Sequence, residues 1–150
     1  MIGVPYVVFT DAFLSKVTEY DFIKLEEQDR ESIIDGYMKR AIASFKKICK
    51  YDFSTTNIDE ERCFFVDVPD EDLEEIVNIV SEGMLAQWMK PLTYKQENLE
   101  LVINTRDFST YSPAELLRRV GEAHTKAQRD FTNMMREYSY AHGELDSLHL

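Results

Sequence analysis

Residues capable of catalysis or metal binding are few and scattered in this chain of 150 residues. The histidines are His124, His142 and His149, and the cysteines are Cys49 and Cys63. The sequence has no His-Glu-x-x-His pair, no Cys-x-x-Cys pair and no glycine-rich phosphate loop. We therefore expect no catalytic residue, no metal ligand and no cofactor-binding residue, and we expect that the chain is not an enzyme.

Cys49 is the residue that comes nearest to a nucleophile. Cations lie close to it in the sequence, and nearby cations lower the pKa of an exposed thiol. It also adjoins the apolar stripe of a predicted helix, where a free cysteine behaves as a small buried hydrophobe. A structural role is expected for both cysteines, in a reducing compartment. The hypothesis of an enzyme with an unfamiliar site stays open, and strong thiol reactivity of Cys49 or Cys63 would support it.

The carboxylates Asp67, Asp70 and Asp72 suggest a Ca²⁺ or Mg²⁺ site at first sight. Their spacing lacks the Asp-x-Asp-x-Asp-Gly turn that builds such sites. Pro69 precedes three acids, which is the composition expected at the start of a helix, because carboxylates stabilise the positive end of the helix dipole. We interpret these acids as part of a helix start.

Acidity is the main compositional feature, with a formal net charge of −11. Residues 51–100 carry 13 acids and 3 bases and hold nearly all of that excess, most of it between Asp59 and Glu75. Such a chain is a poor candidate for wrapping nucleic acid or for binding anionic membranes. Two interpretations remain open: a solvated acidic face, or a negative surface that repels or orients an anionic partner.

Apolar residues at helical spacing predict three long helices. The first runs from Asp29 to Tyr51, the second from Pro69 to Pro91, and the third from Pro113 to Tyr140, where Ser112-Pro113-Ala114-Glu115 is a capping box. Gly36 and Gly83 lie inside two of these helices and predict close approach to a neighbour. Five cations in the second half of the first helix form a basic patch: Lys39, Arg40, Lys46, Lys47 and Lys50.

Shorter elements complete the prediction of an all-α chain, a small helical bundle in one domain. Residues 1–9 predict an extended arm or edge strand, residues 10–141 the bundle, and residues 142–150 a C-terminal tail. Short helices are expected at 12–17 and 94–103, and residues 63–66 predict a short strand or a hydrophobic plug. No apolar run is long enough for a membrane span, and the start does not fit a secretory signal, so we expect an intracellular protein.

In this combination the chain resembles the head–tail connector (adaptor) proteins of tailed bacteriophages, particularly those of Gram-positive hosts. The resemblance covers the chain from about residue 10 onward. Its motifs are packing and capping signals rather than catalytic fingerprints. They are Tyr20–Leu25, Tyr37–Ala43, Glu82–Pro91, Asn104–Pro113 and the ending Glu137–Gly143 with its leucine tail.

The resemblance implies a virion protein of the neck, made in the host cytoplasm, that assembles as a twelve-membered ring beneath the portal. Such a ring extends the DNA channel and docks the next neck, stopper or tail protein, without a cofactor and without specific DNA binding. By position, the portal-docking tail comprises His142, Gly143, Leu145, Leu148, His149 and Leu150. The candidate channel-lining acids are Asp59, Glu60, Glu61, Asp67, Asp70, Glu71 and Asp72.

The basic patch Lys39–Lys50 is then expected to meet an acidic face of the next subunit, since ring closure joins two different surfaces of one protein. The alternative hypothesis is a small acidic binding protein that mimics nucleic acid and inhibits a basic host protein. Both hypotheses use the same acidic region. The dominant partner, a portal ring or a single basic protein, distinguishes them.

Overall fold

The computed structural model describes residues 3–17, 30–93 and 112–142. Helices occupy most of these residues and confirm the predicted all-α bundle: α1 Tyr6–Val17, α2 Arg30–Phe45, α3 Asp70–Met89 and α4 Pro113–His142. A 3₁₀ turn, Lys90–Thr93, continues α3. The strands β1 Val4–Pro5, β2 Asn57–Ile58 and β3 Cys63–Phe64 form a small antiparallel sheet in the order β1-β3-β2.

α3 lies at the centre of the core and packs against α1, α2 and α4. A Cβ on Gly83 would lie 2.8 Å from the ring of Phe131 on α4 and 2.9 Å from the Cβ of Ala41 on α2. The close approach predicted for Gly83 is confirmed. The same prediction for Gly36 is wrong, because its nearest neighbour is the flexible guanidinium of Arg40 at 3.5 Å, an ordinary contact.

The ends of the long helices agree with their signals in the sequence, with one exception. The Ser112 hydroxyl accepts a hydrogen bond from the backbone N–H of Glu115 at 3.2 Å, which confirms this half of the predicted capping box. Pro69 is the N-cap of α3, and three acids follow it in the first turn. α2 ends at Phe45 instead of Tyr51, because the chain turns there and the Phe45 carbonyl accepts from the N–H groups of Ile48 and Cys49.

The prediction of an extended arm or edge strand over residues 1–9 is confirmed as an edge strand at Val4–Pro5 and is wrong from Tyr6 onward. Within residues 3–9, the strand is limited to Val4–Pro5, and it pairs with β3 of the same chain; α1 already begins at Tyr6, well before the predicted start at Ala12. Tyr6, Phe9 and Phe13 recur at helical spacing and are almost completely buried. Burial of these three aromatic side chains outweighs the β propensity of the local sequence, which is a weak and context-dependent preference.

Other predictions fall on residues outside the described part of the chain. They concern the motif Tyr20–Leu25, the short helix at 94–103 and the tail beyond His142. For the segment 63–66, Cys63 and Phe64 form a buried strand, whereas Phe65 is 65% exposed, so the short strand is confirmed for the first two residues and a hydrophobic plug over all four is wrong.

Candidate functional site: an acidic face

The acidic run lies in two places in the fold. Asp59, Glu60 and Glu61 occupy the turn between β2 and β3, which Arg62 completes. The second group begins with Asp67, ahead of α3, and extends through the first two turns of that helix to Glu75. A single charge run in the sequence therefore supplies two separate acidic elements, and the contacts of each carboxylate determine its role.

Asp59 is bound to its own chain on two sides. Its Oδ1 accepts a hydrogen bond from the Tyr6 hydroxyl at 2.5 Å and lies 2.9 Å from Nζ of Lys39. The Tyr6 hydrogen bond is the main cause that lowers the pKa of Asp59 to about 2, and burial raises the pKa of Tyr6. Asp59 thus joins the β2–β3 turn to α1 and α2 and carries a structural task.

Arg62 is the residue of this region that the sequence prediction missed. Its φ of 49° is the one left-handed backbone conformation among the described non-glycine residues. Its guanidinium donates to both carboxylate oxygens of Asp35, at 2.7 and 3.3 Å, and lies 3.4 Å from Glu31. It also lies over the ring of Tyr6, 5.7 Å from the centroid. Arg62 thereby attaches the β2–β3 turn to the first turns of α2.

At the start of α3, Asp72 and Glu75 are also engaged. Asp72 accepts a hydrogen bond from the Tyr51 hydroxyl at 2.5 Å, which raises the pKa of Tyr51 to about 12. Glu75 lies 3.3 Å from Nε2 of His142, whose ring stacks on Tyr138 with 4.4 Å between centroids. These contacts connect the start of α3 to the segment after α2 and to the end of α4.

The remaining acids of the run form a distinct set, here called the free acids. All are exposed, and within the described ranges 3–17, 30–93 and 112–142 none has a cation within ion-pairing distance. Five of the six free acids, all except Glu74, belong to the seven acids that were predicted to line a channel. The other two of those seven, Asp59 and Asp72, make structural contacts. The free acids are Glu60, Glu61, Asp67, Asp70, Glu71 and Glu74.

The predicted basic patch is divided in a similar way. Lys39 pairs with Asp59, and Nε of Arg40 donates to Gln87 on α3 at 3.1 Å. Lys50 lies over the ring of Tyr51, and its backbone N–H donates to the Tyr138 hydroxyl. Lys46 and Lys47 are exposed. Two of the five cations are thus committed through their side chains to polar contacts within the chain.

His142, the first residue of the predicted docking tail, is the last residue of α4 and is half-buried against Tyr138. Gly143, Leu145, Leu148, His149 and Leu150 lie outside the described residues. The structure therefore places the starting point of the tail, beside the acidic start of α3.

Neither cysteine has the surroundings of an activated nucleophile. Burial raises the pKa of the Cys49 thiol and of the Cys63 thiol, and a thiol with a raised pKa is less reactive at neutral pH. Cys49 borders a cavity of about 300 Å³ between α2 and the segment 50–54. In the described part of the chain, no three His, Cys, Asp or Glu side chains lie close enough together to hold a metal ion.

None of the described helices combines the length and the apolar character needed to cross a bilayer. Comparison with protein-family models, with curated proteins and with solved structures finds no match to this chain. The acidic face, the division of its carboxylates and the helical scaffold are therefore the observations on which a function is argued.

Proposed function

We propose that the chain is a structural subunit of the neck of a tailed bacteriophage, a connector that forms a ring between the portal and the next neck or tail protein. The free acids are the observation that carries this proposal. They are exposed carboxylates that form no ion pair within the described part of the chain. Their placement supports a task directed outwards from the subunit.

An acidic surface suits a channel through which DNA passes. Phosphates bind to clustered cations through counterion release, and a surface without such cations does not retain the duplex. Glu60, Glu61, Asp67 and Asp70 are the carboxylates that we assign to the channel. Around a twelve-membered ring, these four positions repeat as two negative bands, one from the β2–β3 turn and one from the start of α3, that repel the backbone of the passing genome.

The portal is the partner that we propose for the C-terminal tail. His142 ends α4 with its ring on Tyr138, so the eight residues that follow start from a rigid point. A tail with three leucines offers an apolar segment for a groove of the portal. The protein is then located in the neck of the virion, and in the host cytoplasm before assembly.

The experiment mixes the purified protein with the portal protein encoded in the same genome and images the product by negative-stain electron microscopy. We expect an added ring on the portal. A variant that ends at His142 should keep the wild-type helicity and melting temperature and should lose the ring, because the docking segment is missing. The proposal fails if the full chain adds no density to the portal and if virions lack the protein.

The free acids favour one alternative, an acidic mimic of nucleic acid that inhibits a basic host protein. Six exposed carboxylates, none with a cation within ion-pairing distance in the described part of the chain, offer a phosphate-like charge pattern. The discriminating experiment is affinity capture from host lysate with the wild type and with an E60K/E61K variant. A single basic DNA-binding protein that the wild type captures and the variant loses would favour the mimic over the connector.

A further inference from the structure

The outward face of α4 carries two exposed arginines and an exposed tyrosine. Arg129, Arg136 and Tyr140 are seven and four residues apart and share one side of the helix, opposite the buried Phe131 and Tyr138. The side chain of Tyr140 is 70% exposed. Arginine and tyrosine are enriched in protein–protein interfaces and in the small set of residues that contribute most of the binding energy. We call these three residues the arginine face.

Other cations of α4 are paired within the chain. Arg118 lies 2.5 Å from Glu115 and 2.6 Å from Glu122, and Lys126 lies 2.7 Å from Asp130. In the part of the chain that the structure describes, no carboxylate pairs with Arg129 or Arg136. Two planar guanidinium groups thus point away from the subunit, and such groups bind carboxylates in a bidentate manner.

Two threonines beside the arginines, Thr125 and Thr132, use their hydroxyl groups within the helix. The Thr125 hydroxyl donates to the Gly121 carbonyl at 2.9 Å, and the Thr132 hydroxyl donates to the Gln128 carbonyl at 3.0 Å. Both hydroxyl groups are satisfied by the backbone of their own helix. A partner that covers the arginine face therefore leaves these two hydroxyl groups hydrogen-bonded.

A surface of opposite charge lies between α1 and α3. This groove, about 510 Å³ in volume, is lined by Glu71, Glu74 and Glu75 together with Ala12, Lys16, Val77, Asn78 and Ser81. Its one cation, Lys16, is already bound to Glu82 at 2.8 Å and to the Asn78 side chain at 3.0 Å. Glu71 and Glu74 are free acids, so the groove carries negative charge that nothing in the described chain neutralises. We call it the acidic groove.

The arginine face and the acidic groove belong to different sides of the subunit. Lys16 of α1 reaches Asn78 and Glu82 of α3, whereas Phe131 of α4 lies against Gly83 of the same helix. α1 and α4 therefore cover different sides of α3. Two complementary surfaces on different sides of one chain suit a heterologous contact, and such contacts close into rings when the rotation allows it.

We propose that the arginine face of one copy docks into the acidic groove of a second copy, with Arg129 and Arg136 of one subunit facing Glu71 and Glu74 of the next. The occupant of each surface is thus this same chain. The inference rests on the proposed ring and specifies the contact between its subunits. The cations of the contact between subunits then lie on α4, and the exposed cations Lys46 and Lys47 of the basic patch lie outside this contact.

The experiment measures self-association by sedimentation velocity at low and high salt. The variant R129E/R136E and the variant E71K/E74K should each weaken self-association by about tenfold or more, because each opposes like charges across the contact. An equimolar mixture of the two variants should associate again, since each then offers the charge that the other needs. The milder variant R129Q/R136Q, which keeps polar side chains but removes the charge, should change self-association in the same direction without charge reversal.

The matched control is K46E/K47E, which makes the same change of charge at the end of α2 and should associate like the wild type. The inference is overturned if the wild type does not self-associate, if R129E/R136E associates normally, or if the mixture does not recover. A ring on the portal that persists with R129E/R136E would refute this contact and leave the connector proposal standing. Failure of the wild type to bind the portal would count against the connector itself.

Discussion

Glu82 and Glu60 carry the same charge in opposite settings. Glu82 lies in the middle of α3, with 10% of its side chain exposed and the ammonium of Lys16 at 2.8 Å. Glu60 lies in the turn between β2 and β3, exposed and without a cation in the described part of the chain. The same division separates Asp35, Asp59 and Asp72, which bind their own chain, from the free acids.

The difference shows that net charge alone says little about function. A carboxylate with a partner in the fold contributes to stability and is unavailable to a second molecule. A carboxylate without one contributes little to stability, and its charge acts on whatever approaches. We therefore expect the effect of a substitution on the free energy of unfolding to fall from Glu82 to Glu60. The effect on binding to other molecules should rise in the same order.

The largest loss of stability is expected for Glu82→Ala. The change leaves the ammonium of Lys16 between α1 and α3 with only the Asn78 amide, and it should lower the free energy of unfolding by about 2–3 kcal/mol. The value is below that of a fully buried pair because 21% of the Lys16 side chain is exposed. Urea denaturation measures it. The double variant K16M/E82M, which removes both charges, should recover most of the loss, and a wild-type midpoint for Glu82→Ala would contradict the claim.

Asp35→Ala comes next. It removes the bidentate partner of Arg62 and should cost about 1–2 kcal/mol, since bidentate, charge-assisted hydrogen bonds are among the stronger polar contacts. Glu31→Ala is the control on the same helix. Glu31 lies 3.4 Å from Arg62 with 71% of its side chain exposed, so its loss should stay within about 0.5 kcal/mol. Equal losses for the two variants would mean that the bidentate contact of Asp35 adds nothing beyond the exposed ion pair of Glu31.

Asp59 should make the free energy of unfolding depend on the pH of the solution. Its pKa in the folded chain is about 2, below the ordinary value of 3.8, so the folded state binds the proton less readily than the unfolded state. Its contribution is complete above about pH 4 and is lost as the pH falls towards 2. Asp59→Asn should therefore flatten the fall in stability over that window, as measured by denaturation at a series of pH values. Tyr6→Phe, which removes the donor, should flatten it too, and an unchanged slope in both variants would contradict the assignment.

The smallest effect on stability, and the largest on interactions, is expected for E60K/E61K. The free energy of unfolding should stay within about 0.5 kcal/mol of the wild type, as for other surface changes. The variant should retain duplex DNA in a gel-shift assay at low salt, whereas the wild type should not. The control D11K/E137K makes the same change of net charge at two exposed acids elsewhere, one on α1 and one on α4. Retention by both variants would mean that total charge matters and that the location of the free acids does not.

The helices could be predicted from the sequence because their signals are local. Apolar residues three and four apart, the Ser112 cap, the acids after Pro69 and the tight contact at Gly83 each depend on neighbours in the chain or on one missing side chain. The start of α1 could not be predicted, because a run rich in β-branched and aromatic residues favours a strand until the burial of Tyr6 and Phe9 is known.

The division of the acids could not be predicted for a related reason. It depends on pairs that are far apart in sequence, such as Asp35 with Arg62 and Tyr6 with Asp59, which are separated by 27 and 53 residues. A run of charge gives no indication of which members find a partner. The left-handed conformation of Arg62, which directs its side chain onto α2, leaves no trace in residue spacing either.

Every residue of α3 from Ile79 to Ala86 is buried, and the other three helices all pack on this helix. The backbone amides of this segment are covered by α1, α2 and α4, which must separate from α3 before water can reach them. Their hydrogen exchange therefore reports the complete unfolding of the chain rather than a local opening. The exchange rate of this segment therefore serves as an internal reference. Amides in the turn around Arg62 that exchange faster than this reference report the opening of that turn alone.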